Sequence, residues 1–145
     1  MKKYLMGFLL LLPAFIILSG QTAPDPLVSN CLQSTGPDAK YLKDFRIQLG
    51  NGTPENLFRY KANMSLWKNT RYRFTLCTAD DSKGQLIINI WDEANKVVLS
   101  SVDNKTGTLY NYVDLICNKS GIYQIYFDFT EGQSGSGVSI VSMIQ

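Results

Sequence analysis

The sequence predicts an all-β fold, an antiparallel β-sandwich of about eight strands with a jelly-roll-like order. Beyond residue 37 no window repeats apolar residues at helical spacing, and short runs of β-branched and aromatic residues recur instead. Turns rich in Gly, Asn, Asp and Ser separate these runs. Since no helix stands between the runs to carry a parallel crossover, the strands are expected to pair antiparallel.

The predicted strands follow the runs in order. They are 41–49, 57–66, 71–78, 85–92, 96–102, 109–117, 121–129 and 137–143. In the seventh run, "GIYQIYFDF", the period-2 rule separates two faces. Tyr123, Ile125, Phe127 and Phe129 are predicted to form core, and the alternate residues point the other way.

The first twenty residues have the layout of a secretory signal peptide, with Lys2 and Lys3 before an apolar run that ends in small residues. The run is too short for a stable membrane span, which takes about 20 residues. We expect cleavage before Gln21, and no lipidation because no Cys stands there. The mature protein is therefore predicted to be periplasmic or secreted, with no stable membrane insertion.

Residues 21–37 are predicted to be a flexible lead-in, because Pro24, Pro26 and Pro37 occur in a polar stretch without periodicity. Residues 38–145 are then a single domain. Without Lys2 and Lys3 the chain has 12 basic and 12 acidic residues, so its net charge falls from +2 to 0. This balance argues against nucleic acid as a partner, since phosphate backbones attract a basic excess.

A resemblance accompanies this pattern. The runs "YRFTLC", "GQLIINIWDEANKVVLSS" and "CNKSGIYQIYFDF", with the turn "GQSGSG" before the last strand, resemble bacterial pre-peptidase C-terminal domains and similar small exported proteins of Bacteroidota. Ser120, Gly121 and Tyr123 match the family's turn before an aromatic strand. The resemblance implies a jelly-roll-like module without catalytic activity, accessory to other proteins.

If the jelly-roll order holds, strand 121–129 lies beside strand 85–92 and their outward rows meet. The outward residues then form an aromatic and polar patch, and exposed patches of this kind commonly mark a contact surface. The predicted partner-binding residues are Ile87, Asn89, Trp91, Gln124, Tyr126 and Asp128. The alternative interpretation is that a loop or the lead-in segment covers the patch.

Three cysteines leave one unpaired in an exported chain. Cys77 and Cys117 both end strands, but in an alternating antiparallel series these ends lie at opposite ends of the sandwich. A disulfide needs Cα atoms within about 7 Å, so direct pairing of these two requires a different strand count. Cys31 in the lead-in could reach either partner, and the pairing stays open.

Catalysis is not expected. The chain has no His, which removes the usual Ser-His-Asp and Cys-His nucleophiles. Glycoside hydrolysis needs only a pair of carboxylates, and the candidate pairs are Asp92 with Asp128 and Asp80 with Asp81. No cofactor and no metal site are predicted; Ca²⁺ is the metal that the oxygen-rich loops would suit, but turn formation explains those residues.

The sequence therefore predicts an exported module, not an enzyme, that binds a protein or glycan of the cell envelope through an exposed sheet face. The alternative is a structural envelope protein that associates with itself or with a partner. A disulfide-linked dimer through Cys31 would favour that alternative.

Overall fold

A computed structural model describes residues 25–145. The predicted signal peptide and the first residues of the lead-in lie outside this range. The elements are α1 (Pro26–Gln33), β1 (Ala39–Leu49), β2 (Tyr60–Leu66), β3 (Arg71–Thr78), β4 (Leu86–Trp91), β5 (Val97–Ser100), β6 (Tyr112–Ile116), β7 (Gly121–Phe129), a 3-10 turn (Thr130–Gly132) and β8 (Gly135–Ile144).

Two four-stranded antiparallel sheets face one another, in the orders β1-β8-β3-β6 and β2-β7-β4-β5. This arrangement is the eight-strand jelly roll with its two Greek keys. The prediction of an all-β antiparallel sandwich with eight strands is confirmed. The final strand, β8, lies inside its sheet between β1 and β3 rather than at an edge.

The core between the sheets consists of the inward rows that the period-2 rule selects. Phe127 lies at its centre, with its ring centroid 5.3 Å from that of Phe45 and 5.8 Å from that of Tyr60. The four residues of β7 predicted as core are all buried, which confirms that prediction. Burying each such side chain contributes roughly 1.5–3 kcal/mol relative to exposure, so β7 anchors the sandwich.

Helix α1 covers the outer face of the β1-β8-β3-β6 sheet. Asp25 caps it by accepting a hydrogen bond from the Leu27 amide at 3.0 Å, and Pro26 occupies the first turn, where its missing N–H costs nothing. Leu27 and Val28 pack on a small second core that includes Ile140. The lead-in predicted to be flexible is thus partly a docked helix.

A disulfide between Cys31 and Cys77 fixes α1 to β3, with the two Cα atoms 5.8 Å apart. Cys117 is the free cysteine and is buried. The expectation that Cys77 and Cys117 do not pair directly is therefore confirmed. Cys31 is not available for a disulfide-linked dimer while this bond is intact. Among residues 25–145, no helix is both long and apolar enough to cross a membrane.

Three turns meet at one end of the sandwich. The β2–β3 turn joins the β6–β7 turn through hydrogen bonds from the Asn69 amide to the Cys117 carbonyl (2.9 Å) and from the Lys68 amide to Ser120 Oγ (2.8 Å). The β4–β5 turn reaches the start of β7, where the Glu93 carboxylate accepts a hydrogen bond from the Ile122 amide at 3.0 Å. These bonds hold the turns together.

Candidate binding site

The outer face of the β2-β7-β4-β5 sheet carries the predicted binding row. Strands β4 and β7 are neighbours, and their register places Asn89 opposite Tyr126 and Trp91 opposite Gln124. The predicted meeting of the two outward rows is therefore observed. The two rows meet because β4 and β7 are adjacent in the jelly-roll strand order.

Trp91 and Tyr126 form an aromatic pair on this face, with ring centroids 5.8 Å apart and planes inclined by 55°. The Tyr126 hydroxyl donates a hydrogen bond to the Gln124 side-chain oxygen at 2.5 Å, and the Lys61 ammonium lies 5.7 Å from the Tyr126 ring centre. Both rings are partly exposed. The arrangement offers apolar ring surface beside an amide and a cation.

Strand β2 extends the face with polar side chains. Lys61 pairs with Tyr126 across the ladder, Asn63 with Gln124, and Ser65 with Ile122. All three β2 residues are exposed, and Ile122 is 55% exposed. We name the open region formed by Lys61, Asn63, Trp91, Gln124 and Tyr126 the sheet-face patch.

Two of the six predicted site residues do not belong to the open surface. Ile87 is 5% exposed and Asp128 is fully buried, so both predictions as contact residues are wrong. Arg59, in the segment between β1 and β2, lies against Asp128: its Nη2 is 2.9 Å from Oδ1 and its Nε is 3.2 Å from Oδ2. The period-2 rule assigns a side chain to a face and says nothing of what packs over that face.

The Asp128 carboxylate is held as an anion. Burial by itself raises the pKa of Asp128, but hydrogen bonds from the Arg59 side chain and from the Phe129 and Arg59 backbone amides outweigh burial and hold that pKa below its ordinary value. A charge buried in this way is stable only because it is paired. Asp128 is therefore a structural residue that tethers the β1–β2 segment.

The polar side-chain atoms of Trp91, in the patch, and of its strand neighbour Asn89 point away from solvent. Trp91 Nε1 and Asn89 Oδ1 are inaccessible and have no hydrogen-bond partner among the described residues. The accessible part of the Trp91 side chain is consequently ring carbon. Asn89 is partly buried, and its oxygen cannot contact a partner in this conformation.

A cleft that the sequence pattern does not predict opens between β5 and β6, at the end of the sandwich where the three turns meet. These strands are edges of opposite sheets. The cleft has a volume of about 670 Å³, within the range of about 300–1,000 Å³ typical of small-molecule sites. We name it the edge cleft. Its lining includes Asp92, Glu93, Lys96, Val98, Leu99, Asp114, Leu115, Cys117, Lys119 and Tyr123.

Cys117 and Tyr123 form the deep side of the edge cleft. The Tyr123 hydroxyl donates a hydrogen bond to the Lys119 carbonyl at 2.7 Å, and Cys117 Sγ lies 3.2 Å from that carbonyl and 3.6 Å from the Tyr123 oxygen. Burial, together with the neighbouring Cys117 and the nearby acidic groups, raises the pKa of Tyr123 to about 12. The phenol therefore stays protonated at neutral pH.

One of the two carboxylate pairs considered for hydrolysis, Asp92 with Asp128, is not placed for it. Asp128 pairs with Ile87 in the ladder, and Asp92 follows five residues later on the same strand path. At about 3.3 Å per residue and about 4.8 Å between strands, the Cα atoms of Asp92 and Asp128 lie about 17 Å apart. The carboxyl groups of glycosidases are about 5–9.5 Å apart. Within residues 25–145, no three Asp, Glu or Cys side chains converge as a metal site would require.

The fold and these two surfaces define a jelly-roll sandwich with an aromatic sheet face and an open edge. Comparisons with protein-family models and with curated proteins find no match for the chain. The resemblance to pre-peptidase C-terminal domains thus stays a prediction.

Proposed function

We propose that this protein is an exported, non-catalytic binding module that holds a glycan of the cell envelope on its sheet-face patch. The observation that carries the proposal is the partly exposed Trp91–Tyr126 pair, surrounded by exposed Asn63 and Lys61 and by Gln124. Sugar rings present apolar C–H faces that pack on aromatic rings, and their hydroxyls bond to amides and ammonium groups.

Export is part of the proposal. The signal-peptide pattern of residues 1–20 supports it, and so does the Cys31–Cys77 disulfide, because such bonds persist in oxidising compartments. A bacterial periplasm or the extracellular space meets this condition. An envelope protein remains the alternative ligand of the same patch, since aromatic side chains also anchor protein interfaces.

The test screens the mature chain, which begins at Gln21, for binding to an array of envelope polysaccharides. Calorimetry then measures the affinity for each polysaccharide that binds. Trp91→Ala and Tyr126→Ala should each weaken binding up to about tenfold, since stacked aromatic contacts are worth about 0.5–1.5 kcal/mol beyond the area that they bury. Trp67→Ala is the matched control, because Trp67 is 68% exposed in the β2–β3 turn and outside the patch.

Equal binding by all variants, or no binding to any polysaccharide, contradicts the glycan proposal. A pull-down from envelope extract with the same variants then distinguishes the alternatives. Proteins retained by the parent chain and by Trp67→Ala, but lost from both patch variants, indicate a protein ligand. Identical pull-downs indicate that the patch holds neither ligand.

A further inference from the structure

We propose that the edge cleft is a second binding site, independent of the sheet-face patch, and that its ligand is an uncharged saccharide of one or two rings. The inference rests on the shape of the cleft, its apolar walls and the chemistry of its rim. None of the residues that line the edge cleft belongs to the sheet-face patch.

The walls are core side chains that the sandwich leaves partly uncovered. Leu99 points inward from β5 and Leu115 inward from β6, as their ladder partners Ile90 and Tyr72 do. In the centre of the sandwich such side chains are sealed by the opposite sheet. Here Leu99 and Leu115 are only partly buried, because the two edge strands leave a gap between them. A ligand with an apolar face would cover them.

The charges around the cleft offset one another. Asp92 and Glu93 stand on the β4–β5 side, and Lys96 and Lys119 balance them. The fifth charged residue, Asp114, is already bound by two arginines, at 2.8 Å from Arg71 and 2.7 Å from Arg73. The rim therefore presents no excess of either sign, and it does not favour a phosphate or a polycation.

The rim nevertheless has hydrogen-bonding groups available in both directions. Asp92 Oδ1 accepts from the Ala94 and Lys96 amides, and Glu93 Oε1 accepts from the Ile122 amide. The second oxygen of each carboxylate has no partner among residues 25–145, and neither have the Lys96 and Lys119 ammonium groups. The cleft thus combines free acceptors with free donors.

Hydroxyl groups are the ligand groups that use both kinds of partner, since each donates one hydrogen bond and accepts others. A saccharide joins a ring of hydroxyls to an apolar C–H face, which matches the rim and the leucine walls. An acyl chain would leave the charged rim without partners. A volume of about 670 Å³ accommodates a small ligand rather than a long polymer.

The test records ¹H–¹⁵N spectra of the mature chain during titration with N-acetylglucosamine, maltose, cellobiose and lactose. Inorganic phosphate and decanoate serve as charged and acyl probes. The expected result is a saturable change confined to the turns and edge strands around the cleft, between residues 92 and 99 and between 114 and 121, with at least one saccharide.

Two variants assign the change to the cleft. Leu115→Trp fills the cleft and should abolish the saturable spectral change. Glu93→Gln keeps the oxygen that accepts from Ile122 but replaces the free acceptor by a donor, so it should weaken binding about tenfold while leaving the fold intact. Tyr126→Ala, in the sheet-face patch, should leave the affinity of the cleft unchanged, which separates this proposal from the proposed function.

Cys117 provides a second readout, because it is the free thiol of the chain and lines the cleft. A saccharide in the cleft should slow alkylation of Cys117 under native conditions, with Cys117→Ser as the background control. The proposal is overturned if no saccharide perturbs the cleft, if only phosphate or decanoate does, or if the perturbation survives Leu115→Trp and Glu93→Gln unchanged.

Discussion

Replacing Asp128 by Ala should cost the fold about 3–5 kcal/mol in its free energy of unfolding. The carboxylate is fully buried and accepts hydrogen bonds from the Arg59 side chain, the Arg59 amide and the Phe129 amide, the last at 2.7 Å. Removing the carboxylate leaves the two amides without their acceptor and leaves the Arg59 guanidinium, which still donates to backbone carbonyls, without its counter-charge. A loss of about 3–5 kcal/mol is the range measured for broken buried pairs.

The assay is denaturant unfolding together with a thermal melt. For a domain of this size 1 kcal/mol corresponds to about 4 °C, so the melting temperature should fall by about 12–20 °C. Asp44→Ala is the matched control, because Asp44 pairs with Arg46 at 3.4 Å on the surface. Exposed pairs contribute about 0–1 kcal/mol. Equal losses in the two variants would refute the structural role given to Asp128.

The dependence of stability on acidic pH tests the same residue, because it reports the protonation of Asp128. The pKa of Asp128 is lowered in the folded state, so the pairing stabilises the fold above the unfolded pKa of about 3.9 and is lost as pH falls through the lower folded pKa. The parent chain should therefore lose stability below about pH 4. Asp128→Asn should be less stable at neutral pH and should lose less on acidification. Part of the pH dependence of stability should persist in Asp128→Asn, because Asp114 is still present and its pKa is also lowered, chiefly by its hydrogen bond with Arg73.

Three further predictions concern stability. The double variant Cys31→Ser and Cys77→Ser should lose about 2–4 kcal/mol, since the disulfide spans 46 residues, and unfolding under non-reducing conditions measures it. Phe127→Ala should lose about 3–5 kcal/mol by leaving a cavity at the core centre, whereas a loss under 1 kcal/mol would contradict the packing described. Gly132→Ala should lose more than about 1 kcal/mol, because Gly132 has φ +68° and a Cβ there would lie 2.6 Å from the Thr53 carbonyl oxygen; an unchanged midpoint would contradict that geometry.

The strands could be predicted because hydrophobic alternation and turn residues act locally. The bounds of β3 and β7 match the predicted runs, 71–78 and 121–129. The predicted second strand began too early, at residue 57. Phe58 has a positive φ of 59°, and Arg59 turns toward Asp128, so pairing starts only at Tyr60.

Helix α1 was missed although its start carries a local signal. Asp25 before Pro26 is an N-cap followed by a residue suited to the first turn. Eight residues are too few for a helix to be stable alone, and packing on β8 and the bond to Cys77 supply the rest. These are tertiary effects that a helix-period search does not detect.

The candidate site was predicted only in part, because some of its features follow from the local sequence pattern and others depend on tertiary packing. Register and face follow from period and strand order, so the Trp91–Tyr126 neighbourhood was foreseeable. The burial of Asp128 depends on a segment nearly 70 residues away in sequence, ending at Arg59. The edge cleft depends on the gap between two sheets, which no single run of residues encodes.

The interior position of β8 has a consequence for how the chain acquires its structure. Strands β1 and β3 do not pair with one another; each pairs with residues 135–144. One of the two sheets therefore cannot assemble until residues 135–144 are available to pair with both strands. Contacts at such large sequence separation close slowly, on a scale of milliseconds to seconds. Completion of the β1-β8-β3-β6 sheet should thus be a late and slow step of folding.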